Sequence, residues 1–370
     1  MRFPSVVCGG LAALLLCCPA VAEELVAAQP IEQSSRYVDR PDVQAFIEEL
    51  SRDYGFERQQ LLDLFDQVVP RPQILAILDR PSTSRPYYEF RPDFVNATRI
   101  RLGVQFWREH SELLAAVADR YQIDPEYLVA VLGAETMWGR NTGSFRVLDA
   151  LSTIAFDYPR RAEYFRKELR EFLLLAREDG INPLSLKGSY AGAMGMPQFM
   201  PSSFRAYAAD WDGDRRHDIW SNPGDTLASV ANYFRAHGWH RGAPLVLLAE
   251  VQGDAFLPLV DDKFNLHYRV SELAGFGVHA VEPPANDPLA VLAPLETAPG
   301  ITHYWLGLQN FYTLTRYNRS TLYAMAVHEM AGAIRAAYLD PSLVPPEPAA
   351  RRKAENSKRS KPARKGKRRR

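Results

Sequence analysis

The 370-residue sequence predicts an α+β protein that is mostly α-helical, and three observations carry that expectation. Apolar residues recur at helical spacing through residues 38–237, broken only by proline- and glycine-containing stretches. Short β-rich runs separated by turn formers are confined to residues 243–318 and predict a small antiparallel β subdomain. Helical periodicity returns over residues 319–338. No internal repeat interrupts this order.

Residues 1–22 have the form of a signal peptide. Arg2 gives a charged start, an apolar run follows from Leu11 to Leu16, and Ala20-Val21-Ala22 fits a small-x-small cleavage site before Glu23. The run is too short for a permanent membrane span. A lipoprotein signal with Cys17 or Cys18 as the lipidated residue ranks second, because neither Leu16 nor Cys17 is the small residue that processing prefers before the cysteine. All three cysteines, Cys8, Cys17 and Cys18, lie here, so the exported chain has no disulfide framework and relies on a packed core. The remaining roughly 350 residues exceed one ordinary core, which predicts two or three subdomains.

The zero formal charge conceals two opposite parts. Residues 351–370 hold 12 Lys/Arg and one Glu, leaving 32 basic against 43 acidic residues before them. The body is acidic; the tail is strongly basic, lacks residues that build a core, and is expected to be disordered. Export would direct such a tail away from nucleic acid, toward anionic envelope surfaces.

In order, residues 23–37 are a polar leader, and residues 38–121 a helical subdomain to which 319–338 return. Val43, Phe46, Ile47 and Leu50, then Leu61, Leu62, Leu64 and Phe65, mark its first helices. Pro70 and Pro72 interrupt before Ile74, and residues 81–92 are irregular and aromatic. Arg99 to Tyr121 reads as one helix. Residues 122–242 form the expected core, which includes a helix over Tyr164 to Arg177 and another over Gly224 to His237. Between them, three glycines and two prolines in Gly188 to Phe204 suit backbone lining a cleft, and Ser202 or Ser203 is placed to cap a short helix. Residues 243–318 supply strands at Leu245 to Val251, Leu266 to Val270, Leu289 to Leu295 and Ile301 to Leu308. Gln309 to Tyr317 is expected as strand or loop, and residues 339–370 as linker and tail.

The chemistry centres on the helix Tyr127 to Trp138. Asp124 is its expected N-cap, Pro125 suits the first helical position, and Gly139 or Gly143 would end it. Leu128, Val131 and Leu132 form one apolar stripe, and the next position in line is Glu135. Burying a carboxylate raises its pKa, which is what a general acid near neutral pH needs. A rim Glu paired with an Arg is the structural alternative. Glycoside hydrolases usually need two carboxylates. No convincing second one appears here, since Asp149 and Asp157 sit at expected caps or turns.

Gly133-Ala-Glu-Thr-Met-Trp-Gly139, Tyr158-Pro-Arg-Arg161, the Gly192 to Ser203 segment and Arg316-Tyr-Asn-Arg-Ser320 occur in an order that resembles the lytic murein transglycosylase B family. The resemblance covers roughly residues 38–338. It implies a lysozyme-like core and a periplasmic enzyme of cell-wall turnover. Such an enzyme cleaves the MurNAc–GlcNAc β-1,4 bond of peptidoglycan without water and leaves a 1,6-anhydromuramic acid end. Glu135 matches the catalytic acid. By the same resemblance Ser189 and Gln198 match polar positions holding substrate amides, and Tyr233, Tyr317 and Asn318 match the groove. Arg160 and Arg161 match a pair on the peptide-bearing side. The chemistry calls for no cofactor, and a monomer acting on glycan strands is expected.

Asp210, Asp212 and Asp214 stand at positions 1, 3 and 5 of an EF-hand-like cycle, with the Arg216 carbonyl at position 7. Arg215 replaces the usual Gly and Ser221 the usual Glu, and the resemblance makes Asp225 the residue that closes the shell. Three carboxylates two residues apart repel one another unless a cation joins them, so a structural Ca²⁺ is expected. Two other functions fit the same residues: a hydrolytic muramidase, and a non-catalytic peptidoglycan-binding protein.

Overall fold

The computed structural model describes residues 36–79, 85–262 and 264–346. The expected signal peptide, most of the leader and the basic tail lie outside them.

A single 3-10 turn, Tyr37–Asp39, precedes α1 (Pro41–Tyr54), α2 (Arg58–Phe65) and α3 (Pro72–Leu78). Pro41 and Pro72 occupy first helical positions, where a missing N–H costs nothing. This layer is tied to the core by the Tyr37 hydroxyl, which donates to the Ser152 carbonyl at 2.7 Å, and by Arg71, paired at 2.8 Å with the fully buried Asp149. The stretch expected to be irregular contains a short helix, α4 (Tyr87–Phe90).

The helix expected over Arg99 to Tyr121 is two helices, α5 (Ala97–Glu109) and α6 (Ser111–Tyr121), broken at His110. No Pro or Gly marks the break, so packing makes it. α5 lies against the C-terminal helix and the Glu135 helix, while α6 lies against a different partner near residues 223–236. One straight rod would not reach both.

The Glu135 helix is α7 (Pro125–Thr136), and Leu128, Val129, Ala130, Val131 and Leu132 are all fully buried. The expected single stripe is therefore corrected: α7 is surrounded, and its apolar character extends round the whole circumference. Asp124 occupies the N-cap position without capping. Its carboxylate instead accepts from Trp239 Nε1 at 2.9 Å and from the Gly242 N–H at 3.0 Å.

β1 (Phe145–Arg146) leads into α8 (Val147–Asp157) and α9 (Ala162–Glu178), and pairs with β2 (Lys187–Gly188). α10 (Pro201–Tyr207) and α11 (Pro223–Ala236) follow. Neither Ser202 nor Ser203 caps α10, because both lie inside it. Glu168 of α9 does this work, accepting from the Ser202 N–H at 2.9 Å and its hydroxyl at 2.7 Å.

The β subdomain contains β3 (Val246–Val251), α12 (Leu257–Asp261), β4 (Tyr268–Arg269), α13 (Val270–Leu273), β5 (Val278–Ala280), β6 (Leu289–Ala298) and β7 (Ile301–Gly307). Its five strands pair antiparallel in the order β4-β6-β7-β3-β5. Phe256, Leu273, Val278, Leu292 and Leu306 give it a small core of its own. β5 has no counterpart among the strands expected from the sequence, because three residues are too few to show alternation.

Gln309–Tyr317 is a helix, α14, not the strand or loop expected. Its Phe, Tyr and Thr content favours strand, but Asn310, Phe311 and Leu314 are buried at helical spacing and burial prevails. Ser320 accepts the Tyr323 N–H at 3.2 Å and caps α15 (Thr321–Leu339), which packs on α5 and α7. Among the described residues no helix is long and apolar enough to cross a membrane.

Candidate active site

α7 delivers Glu135 one residue before it ends at Thr136. Met137, Trp138 and Gly139 follow with φ of 52°, 58° and 78°, so three left-handed residues reverse the chain. The expected glycine stop is thus corrected to Met137, whose N–H bonds back to the Gly133 carbonyl at 3.2 Å. A non-glycine residue in this region costs about 1–2 kcal/mol, a strain that proteins retain chiefly where it serves a site. What it achieves is visible: Trp138 folds back on α7 and donates from Nε1 to the Val129 carbonyl at 3.0 Å. A Cβ on Gly133 would lie 2.4 Å from the Trp138 ring, which fixes that residue as glycine. The Thr136 hydroxyl, donating to the Met196 carbonyl at 2.9 Å, ties this end of α7 to the glycine-rich segment.

Glu135 keeps partial solvent access, and Tyr323 of α15 donates its hydroxyl to Glu135 Oε1 at 2.6 Å. Burial raises the Glu135 carboxyl to about 7, against the lowering effects of this hydrogen bond and of the Arg99 charge. Among the described residues no carboxylate is found to act on it. Arg99 sits over the Phe94 ring at 5.4 Å and donates to the Gly133 carbonyl, so its charge is held beside α7 without a salt bridge. Tyr323 itself is driven well above the ordinary tyrosine range by burial and then by the Glu135 charge, which keeps it a donor. Neither Tyr323 nor Arg99 was singled out in the sequence. Tyr323 lies 188 residues from Glu135, and no local pattern joins them.

Tyr317 is within electrostatic reach of Glu135 and donates its hydroxyl to the Pro197 carbonyl at 2.6 Å. Tyr233 is buried, meets Tyr317 edge-on at 4.9 Å, and donates to the Arg316 carbonyl at 2.7 Å. It supports the wall rather than facing solvent. Gln198 adopts φ 53° and donates from Nε2 to the Gly195 carbonyl at 3.0 Å and to the Thr142 carbonyl at 3.2 Å. The Ser189 hydroxyl accepts the Ala193 N–H at 3.0 Å, folding the segment into a tight loop. Gly192 within that loop has φ 80°, and a Cβ there would meet Leu151 at 2.4 Å. Asn318 is the C-cap of α14. Arg160 is largely exposed, bonded to Asp79 at 2.5 Å and to the Tyr158 hydroxyl at 2.7 Å, and Arg161 ends the adjoining 3-10 turn.

In the acidic loop, Asp210, Asp212 and Asp214 each bring an oxygen within 4.8 Å of the others, a donor set suited to a hard cation. Arg215, at the usual glycine position, has the φ of 70° that a glycine would supply. Arg216 donates its N–H to Asp214 at 2.8 Å. Asp225 lies outside the cluster. It is fully buried, and its two oxygens accept the Trp211 and Asp218 N–H groups at 2.8 Å each. Asp218 turns the chain by accepting from Trp220 and Ser221.

Residues 39–332 match the family described as the Transglycosylase SLT domain. The chain belongs to this family. Membrane-bound lytic murein transglycosylase B of Escherichia coli (strain K12) is 41% identical over 314 residues, spanning 82% of this chain and 85% of that protein. The catenated lytic transglycosylase SltB1 of Pseudomonas aeruginosa superposes with a TM-score of 0.78 at 48% identity, covering 82% of this chain and 99% of that one. The Escherichia coli lytic transglycosylase SLT35, solved in complex with calcium, gives 0.74 at 41% identity over 82% and 95%. SltB3 of Pseudomonas aeruginosa, solved with NAG-anhNAM-pentapeptide, gives 0.67 at 30% over 79% and 78%. Helices dominate the described residues and a small five-stranded antiparallel sheet accompanies them.

Proposed function

We propose that this SLT-family enzyme is a peptidoglycan lytic transglycosylase in which Glu135 serves first as acid and then as base. The observation carrying the reading is a largely buried carboxyl raised to about 7 and hydrogen-bonded by Tyr323, on which, among the described residues, the Arg99 charge acts and a second carboxylate does not. Hydrolytic glycosidases generally place a second carboxyl within roughly 5–10 Å to attack or to activate water. A transglycosylase needs neither. Protonated Glu135 gives its proton to the glycosidic oxygen as the MurNAc C1–O bond breaks. The resulting carboxylate then takes the proton of the MurNAc 6-hydroxyl as that oxygen closes on C1, leaving a 1,6-anhydro end and restoring the acid. Tyr323 orients Oε1 through both steps. Ser189, Gln198, Tyr317 and Asn318 line the approach and contact substrate amides and hydroxyls, with Tyr233 behind them.

Asp210, Asp212 and Asp214, with the Arg216 carbonyl, would hold Ca²⁺, and Asp225 braces the loop around it. The calcium complex of SLT35 supports that assignment. The metal has a structural role only. The proposed location is the periplasm, consistent with the signal-like segment and with a relative named as membrane-bound.

Digestion of purified sacculi followed by mass measurement of the muropeptides tests the reaction. Anhydro products one water lighter than hydrolytic ones are expected; reducing-end muropeptides alone would make the protein a muramidase.

A further inference from the structure

Arg316 and Arg319 flank Tyr317 and Asn318 in the turn joining α14 to α15. Arg316 donates from Nη2 to the Phe264 carbonyl at 3.4 Å and the Thr315 hydroxyl at 3.2 Å, and lies 4.4 Å over the Tyr312 ring. Arg319 lies 5.1 Å from the Phe264 ring centre. The Nε of each is buried without a partner, and neither side chain meets a carboxylate among the described residues. Burial, and the nearby charge of Arg319, both work against the charge on Arg316. Three other half-buried arginines are arranged differently: Arg71 and Arg146 share Asp149, and Arg205 meets Glu171 and Glu178.

Two neighbouring cations in a half-buried setting repel each other, and an anion between them relieves the repulsion. Guanidinium forks match the two oxygens of a carboxylate. The turn is also fixed to the active site, since the Arg316 carbonyl accepts the Tyr233 hydroxyl and Tyr317 is anchored on Pro197. Phe264, on the other side, belongs to the β subdomain. The pair therefore sits where the catalytic core meets that subdomain, beside Tyr233 and Tyr317. By contrast Arg160 is largely exposed and already bonded to Asp79, where solvent screens its charge.

We infer that Arg316 and Arg319 form an anion site that takes a carboxylate of the peptide borne by the glycan strand. The inference rests on the peptidoglycan reading and adds to it a specific contact for the substrate's peptide. The β subdomain then forms one side of that contact through Phe264.

The test uses full-length protein carrying Glu135→Gln, so that ligand is bound and not cleaved. Calorimetry measures binding of a GlcNAc–MurNAc-pentapeptide fragment and of the same fragment with its peptide carboxylates converted to amides. Adding Arg319→Gln is expected to weaken the acid form roughly tenfold, the scale of one lost charge-assisted hydrogen bond. Amidation should cost the Arg319 protein a similar factor, and the two changes together should cost little more than either. Equal weakening of acid and amide forms by Arg319→Gln, or fully additive losses, would overturn the site. Should Arg319→Gln unfold, acid and amide binding equally to the Arg319 protein would overturn it instead. Binding of the amidated fragment reports glycan recognition separately, and the sacculus digest reports the chemistry, so failure of one reading is distinguishable from failure of the other.

Discussion

The Tyr323 hydroxyl donates to Glu135 Oε1 at 2.6 Å, joining the C-terminal helix to the end of the central one. This bond lowers the Glu135 carboxyl within a setting whose burial raises it to about 7. Tyr323→Phe removes a stabiliser of the carboxylate, so the acid stays protonated to higher pH. The alkaline limb of kcat/KM on glycan fragments is expected to move upward in Tyr323→Phe. A limb that stays in place or moves down would show that the bond does not set the titration of Glu135.

Glu135→Gln is expected to reduce release of anhydromuropeptides by roughly 10²–10⁴-fold, the range of a lost general acid. Binding to sacculi should persist. Activity within a few-fold of the parent would remove Glu135 from the chemistry.

The same substitution carries a stability prediction. The Glu135 pKa is higher folded than unfolded, so its stabilising contribution is complete below the unfolded value near 4.5 and is lost as pH rises through about 7. Glutamine is uncharged throughout. Relative to the parent, Glu135→Gln should therefore gain on the order of 3 kcal/mol between pH 4 and pH 8. Parallel stability curves across that range, measured by denaturant titration, would contradict the raised value.

Millimolar Ca²⁺ is expected to raise the melting temperature, and Asp212→Ala with Asp214→Ala to abolish the response. Binding confined to the folded state contributes about 2.7 kcal/mol at a hundredfold excess over Kd. An unchanged parent melt would mean that the loop holds no calcium.

Arg215→Gly tests the loop from its backbone. Arg215 has φ 70° on an exposed loop, and its N–H donates to Asp210 at 2.8 Å whatever the side chain. Glycine adopts that conformation without the side-chain penalty and should stabilise by about 0.5–1 kcal/mol while preserving the calcium response. A lower melting temperature would show that the Arg215 side chain contributes something its backbone does not reveal.

The sequence by itself determined the chemistry's address and the order of elements. Glu135 stood out because a carboxylate in line with Leu128, Val131 and Leu132 is anomalous over a single helical repeat, a distance that periodicity can read. The acidic loop was legible for the same reason: Asp210, Asp212 and Asp214 are spaced two apart, and the chain alone brings them within 4.8 Å. Tertiary structure decided whatever depended on distant partners. It broke the helix at His110, because α5 and α6 face different neighbours, and made Gln309–Tyr317 helical, because burial of Phe311 and Leu314 outweighs strand propensity. It gave the capping of α10 to Glu168, and it withheld a capping role from Asp124 in favour of Trp239. Above all it set Tyr323 against Glu135 across 188 residues and left Arg316 and Arg319 together without a carboxylate among the described residues. Hydrogen bonds and desolvation act over a few ångströms in space, whereas sequence patterns record only neighbours along the chain.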